Sequence, residues 1–333
     1  MPSGPSTGGK APVRVRDKRR WSWLVTLLKV GLSALAFGVV AFSVDLSAAW
    51  QHAANQSIPF VGLSALILTL QLLLGGLRWH AILARLGANP SLRESVRLYY
   101  ISAFFNAYLW GAVGGDMLRA WLSYRRALSA KTAINSVVLD RIAALAGVAI
   151  LVLVTAPIFF SRVGSALPMY VPVSLACAGL IAIAVVANLR RLPATWLGTK
   201  FMRFLQSLGD SVQQVFLDPK AAFPVLSFAV LAQIALGAAT FAMAASLGIK
   251  VTLLDCMVLM QPVALLANLP ISVGGWGVRE TAVVLLFGLI GVPSSAALVL
   301  SLQLGLLALL VVFPGGILWL LLRLKERAPK PAA

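Results

Sequence analysis

The sequence predicts an all-α, polytopic membrane protein, and three observations predict it. Of 333 residues, 60% are hydrophobic and only 11% charged, against about a quarter charged in a soluble domain. Mean hydropathy is +0.91, and several apolar runs approach or exceed the ~20 residues that cross a bilayer. No run alternates polar and apolar residues as the strands of a membrane barrel must.

Charge patterning narrows the class. The formal net charge is +18, but the basic residues are dispersed between apolar runs instead of forming one face. That distribution fits cytoplasmic loops and argues against nucleic acid. Cys177 and Cys256 sit in apolar runs without disulfide or metal-ligand spacing, and His52 and His80 have no ligand partner nearby. No metal or other cofactor is expected.

Taken in order, residues 1–20 form a Gly-, Pro- and Arg-rich tail, expected to be disordered and cytoplasmic. Trp21 to Val44 is of spanning length; a first transmembrane helix fits it better than a secretory signal. The link from Asp45 to Ser57 lacks Lys and Arg and belongs outside. Ile58 to Leu77 returns the chain to Arg78, Trp79, His80, Arg85, Arg93 and Arg97, with Ser91–Arg97 patterned as a capped interfacial helix. Leu98 to Leu118 is long enough to span, yet Arg119, Arg125, Arg126 and Lys131 make its far flank as basic as its near one. A re-entrant dip satisfies both flanks, with Gly111, Gly114 and Gly115 supplying the turn.

Two spans follow, at about 133–160 and 168–188. Residues 189–220 carry an apolar stripe (Trp196, Leu197, Phe201, Phe204, Leu205, Leu208) among basic residues, the pattern of an amphipathic surface helix or a helical linker. Spans at 221–247 and 251–269 precede a second glycine-broken stretch. A short run at 281–292 leads to a last span, 294–322, long enough to tilt or to break at Pro314-Gly315-Gly316. Residues 323–333 are a short basic tail. The count is about eight transmembrane helices within 21–322, both termini cytoplasmic, with two re-entrant segments. The halves, 21–188 and 221–322, suggest an internal repeat: parallel by this count, inverted if one span is miscounted.

The candidate site is drawn from Trp110–Arg119 and Pro270–Glu280. Each places Gly-Gly (Gly114-Gly115; Gly274-Gly275), a tryptophan, an arginine and a carboxylate in apolar sequence. Glycine weakens a helix by roughly 1 kcal/mol, and irregular backbone persists in a bilayer only where protein or a wet cavity surrounds it. Ionisable residues within spans cost ~2.5–3.5 kcal/mol each, which singles out Asp116 with Arg119, Asp140 with Arg141, and Arg279 with Glu280; Asp255 and Lys250 lie nearer the outer interface. Asp116 and Arg119 share a helix face at i,i+3. Arg141 suits a phosphate, and Arg279 follows a glycine turn where helix N–H groups favour an anion. Trp276 and Trp110 sit in the dips; Trp79, Trp121 and Trp319 fit an interfacial belt. The competing reading is that these pairs only neutralise one another while glycines let helices pack closely.

At this point a resemblance enters. Asn106, Gly114-Gly115-Asp116, Arg119, Leu139-Asp140-Arg141 and Pro270 with Gly274-Gly275-Trp276-Gly277-Val278-Arg279-Glu280 together resemble the lysylphosphatidylglycerol synthase transmembrane family, also described as flippase-like. One departure is Trp110-Gly111, where members often carry a proline. In two-part members a soluble aminoacyl-transferase domain makes the lipid and the membrane part moves it. The resemblance implies a stand-alone member that handles lipid, with glycolipid and hopanoid pathways among the settings of such members. The expected function is translocation of an anionic lipid across a bacterial cytoplasmic (inner) membrane, headgroup-bound by Asn106, Gly114, Gly115, Asp116, Arg119, Asp140, Arg141, Gly274, Gly275, Trp276, Arg279 and Glu280. No catalytic constellation is evident. The alternatives are an intramembrane lipid-modifying transferase and an accessory subunit partnered with lipid-biosynthetic enzymes.

Overall fold

A computed structural model describes residues 56–108, 111–126, 128–163, 170–188, 200–267 and 276–327. The N-terminal tail, the predicted first span, residues 328–333, Trp110, Trp196, Pro270, Gly274 and Gly275 lie outside the described residues. The described elements are helices: α1 (Ile58–Arg85), α2 (Leu92–Tyr108), α3 (Gly111–Tyr124), α4 (Ala130–Val163), α5 (Val171–Asn188), α6 (Lys200–Val212) with a π-helical turn at Gln213–Leu217, α7 (Pro219–Ser246), α8 (Leu253–Ala267), α9 (Val278–Gly288), α10 (Ser294–Val312) and α11 (Pro314–Arg327). Five are long and apolar enough to cross a membrane: α1, α4, α5, α7 and the nearly continuous α10–α11. Of the eight expected crossings, one lies outside the described residues and two, at 251–269 and 281–292, are α8 and α9, which are too short.

α1 and α7 form the central pair and run antiparallel. Ser57 N–H donates to the Ser246 carbonyl (2.8 Å), the Ser64 hydroxyl donates to the Ala239 carbonyl (2.9 Å), and Arg85 pairs with Asp218 at the other end. Alanines of α7 (Ala229, Ala232, Ala235, Ala239, Ala242) are buried. Small residues let backbones approach where no hydrophobic force drives helix association in lipid.

Each long helix of this pair leads into a hairpin. α2 and α3 pack together, and Glu94 pairs with Arg126 across their open ends, so both ends lie on one face. That face also holds Arg85, Arg93, Arg97, Arg125, Lys131 and Arg323 and is the basic face. α8 and α9 form the second hairpin, with Leu247, Ile249, Phe287 and Val292 in one cluster at its ends and Arg162 of α4 paired with Asp255. It enters from the opposite face. Helix contacts of the first half, α1 through α5, recur between α7 through α11 in the same pairs. By these contacts α7 corresponds to α1 and not to the run at 21–44, and because α1 and α7 are antiparallel the two sets of helices are inverted relative to one another.

The repeat is written in the capping chemistry. Leu86-Gly87 ends α1 and Leu247-Gly248 ends α7, with φ of 75° and 69° at the glycines, a left-handed conformation that favours glycine. Four residues on, Ser91 accepts from Glu94 N–H (3.3 Å) and Thr252 accepts from Asp255 N–H (3.1 Å), each an oxygen cap opening a hairpin.

Two further expectations change. Gly111, Gly114 and Gly115 fall inside α3, not in a turn. A Cβ on Gly115 would stand 2.0 Å from the Ser102 carbonyl oxygen, so that glycine serves close approach of the hairpin arms. Cys177 is exposed, whereas Cys256 is buried as expected. The amphipathic segment is present as α6, anchored by Asn135, whose amide donates to Ser207 and Ser211 (2.9–3.1 Å), with Leu208 buried.

The last span does break at Pro314. Phe313 N–H bonds to the Leu310 carbonyl (3.2 Å) instead of continuing the regular ladder, and proline has no N–H to donate. α2 supplies the missing donors: the Tyr108 hydroxyl bonds to the Leu309 carbonyl (3.0 Å) and the Tyr100 hydroxyl to the Val311 carbonyl (2.5 Å). Tyr100→Phe removes one such bond, worth about 1 kcal/mol net. Thermal unfolding in detergent should show Tm lower by about 1–2 °C.

Candidate functional site

The first hairpin closes around a buried charge cluster. Asp140 of α4 accepts from Arg78 of α1 (Nε–Oδ1, 2.8 Å) and from Arg119 of α3 (Nη2–Oδ2, 3.0 Å). Arg119 also reaches Asp116 one helical turn away (3.2 Å), and Arg141 of α4 donates to the other oxygen of Asp116 (2.5 Å). Ser102 and Asn106 of α2 donate to Asp116 (3.3 and 3.4 Å), while Asn106 accepts from Gly115 N–H (2.8 Å). Asn106 thereby ties the carboxylate to the glycine of the close approach.

Among the described residues, three guanidinium groups face two carboxylates, leaving one positive charge in excess. The Arg119 side chain is 1% exposed and lies over the rings of Trp79 (4.7 Å) and Tyr99 (5.0 Å). Its faces are satisfied by π-electrons, but among the described residues its Nε and Nη1 have no hydrogen-bond partner. Leaving a buried charged donor unmatched is costly. Arg141 is the open side of the cluster, its side chain 43% exposed. The arrangement can take an additional acceptor with negative charge, and a phosphate suits guanidinium geometry.

The second hairpin is built differently. Gly277 has φ of 84° and its N–H bonds to Glu280 (2.6 Å), so a carboxylate of the chain already occupies the N-terminus of α9. Arg279 pairs with this same Glu280, lies over the Trp276 ring (4.6 Å) and fits a notch at Gly305 of α10, where a Cβ would come within 2.1 Å. Ser301 donates to Glu280 at 3.5 Å. Where the sequence suggested a foreign anion, the chain's own Glu280 is fully buried and pairs with Arg279.

Other placements divide. The Asp116–Arg119 pair is where the i,i+3 spacing put it. Asp140 and Arg141, neighbours in sequence, point to different partners. Arg78, Trp79, Tyr99 and Ser102 belong to the cluster although they were not among the candidates. Trp79 is fully buried and donates to Ser136 (3.3 Å), so it is no interfacial residue, while Trp121 is, half-exposed beneath Arg125 and Arg323. The available signal for Arg78 was its place about two turns before the end of an apolar helix.

Fold and site together define an inverted-repeat α-helical membrane protein with a charge cluster on a re-entrant hairpin. The chain belongs to the family whose model is described as the lysylphosphatidylglycerol synthase TM region, matched over residues 26–316. It is a membrane protein of a lipid-related family. No curated protein matches it.

Asp140→Asn would leave Arg78 and Arg119 buried beside a neutral amide. Breaking a buried pair of this kind costs about 3–5 kcal/mol. We expect a large loss of thermal stability, measured by unfolding in detergent, whereas Arg141→Gln at the exposed edge should shift Tm little.

Proposed function

We propose that this protein binds the anionic headgroup of a membrane lipid at the first hairpin and moves the lipid between leaflets. The observation that carries the reading is the charge cluster, which among the described residues has one cation in excess, two unmatched nitrogens on buried Arg119 and an exposed edge at Arg141. A phosphate arriving at Arg141 competes with Asp116 for that guanidinium and adds the acceptor that the cluster lacks. The basic face is cytoplasmic by the positive-inside rule, in the cell membrane of a bacterium, so the first hairpin loads from the inner leaflet. The second hairpin, entering from the opposite face, is its counterpart in an alternating motion of two inverted repeats. No Gly-x-x-x-x-Gly-Lys-Ser/Thr loop occurs in the sequence, so movement draws on a gradient, a partner or mass action. The reading assigns no catalytic step.

The test is leaflet exchange of a fluorescent phosphatidylglycerol in reconstituted vesicles. Arg141→Gln is expected to slow exchange about tenfold, one charge-assisted contact being worth roughly 1.5–3 kcal/mol, with Arg141→Lys recovering part of it. Equal exchange in wild type, Arg141→Gln and Arg279→Gln would sink the reading.

A further inference from the structure

α2 carries two polar stripes, and only one faces the charge cluster. Tyr99, Ser102 and Asn106 point into the cluster. Arg93, Arg97, Tyr100 and Phe104 recur at helical spacing on another side; Tyr100 and Phe104 pack on the α10–α11 break. At the basic end of this second stripe a cleft of about 610 Å³ opens between α2 and α11, lined by Arg93, Glu94, Arg97, Arg126, Leu318 and Leu321 among others.

The two walls differ in chemistry. The polar wall holds three arginines, Arg93 and Arg97 of α2 and Arg126 just beyond α3, against one glutamate, Glu94 of α2. Glu94 pairs with Arg126, so Arg93 and Arg97 are left without a carboxylate among the described residues, and the buried Nε of Arg97 has no hydrogen-bond partner. The α11 wall is leucine, continuous with Ile317, Leu320, Leu321 and Leu324, all about half-exposed or more on a helix of spanning hydropathy. A free phosphate would satisfy the first wall and leave the second wet. An ion-free acyl chain would do the reverse. Only a molecule with an anionic head and an apolar tail, arriving from the leaflet at the basic face, complements both.

The geometry points to a second lipid site: the cleft between α2 and α11 holds an anionic phospholipid, its phosphate on Arg93 and Arg97 and its acyl chain along Leu318 and Leu321. This site is separate from the cluster at Arg141 and stands whether or not the protein moves lipid. Its occupant braces α2 from the side opposite the cluster.

Native mass spectrometry of the full chain in detergent, titrated with phosphatidylglycerol or phosphatidylcholine, tests it. Wild type should retain phosphatidylglycerol over phosphatidylcholine, and the Arg93→Gln/Arg97→Gln variant should lose one phosphatidylglycerol equivalent, with affinity down roughly ten- to thirtyfold for two basic contacts. Arg141→Gln should leave that equivalent in place, which separates this site from the proposed transport site. If the double variant does not purify as a monodisperse protein, Leu321→Glu on the opposite wall should give the same loss. Unchanged stoichiometry in these variants, equal retention of the two lipids, or displacement by millimolar inorganic phosphate as effective as by lipid would each overturn the proposal.

Discussion

The structure depends on one carboxylate being in the right place. Asp140 sits in apolar surroundings where an unpaired charge is untenable, and it is held by arginines from two other helices, Arg78 of α1 and Arg119 of α3. That pairing fixes three elements against one another at the level where the first hairpin turns back. Asp116 extends the network to α2 through Ser102 and Asn106. Close packing of α2 on α3 at Gly115 and the positions of Asn106, Asp116, Arg119 and Arg141 go with satisfying these charges at once.

The two halves share a scaffold and differ in chemistry. Both pair a long helix with a capped hairpin, yet Arg119 is stacked between rings with N–H groups to spare, whereas Arg279 is matched by the adjacent Glu280. On the proposed function, this asymmetry makes the first hairpin the one that takes the anion.

Much of this was legible in the sequence. Composition fixed the membrane class, the flanking arginines required the first segment to return to its own face, and the i,i+3 spacing joined Asp116 to Arg119. Sequence reasoning stopped where long-range pairing began. Arg78 looked like a loop residue because an arginine near the end of an apolar run is ordinarily solvated; its burial depends on Asp140, 62 residues later. The sense of the repeat was not countable from sequence because the run at 21–44 and α1 are both candidates to correspond to α7, and only the antiparallel contacts of α1 with α7 decide it. The matching Leu-Gly caps and Ser91/Thr252 were on the page, but they look like ordinary helix ends until the hairpins they open are seen to correspond.

The two tyrosines at the Pro314 break carry one more implication. In hydrocarbon there is no water to take up a released carbonyl, so Tyr100 and Tyr108 act as the local solvent for α10. Moving α10 along α2 without bringing it another donor would strand both oxygens at once. A helix broken by proline, ordinarily a source of compliance, is here tied down by two hydroxyls of its neighbour.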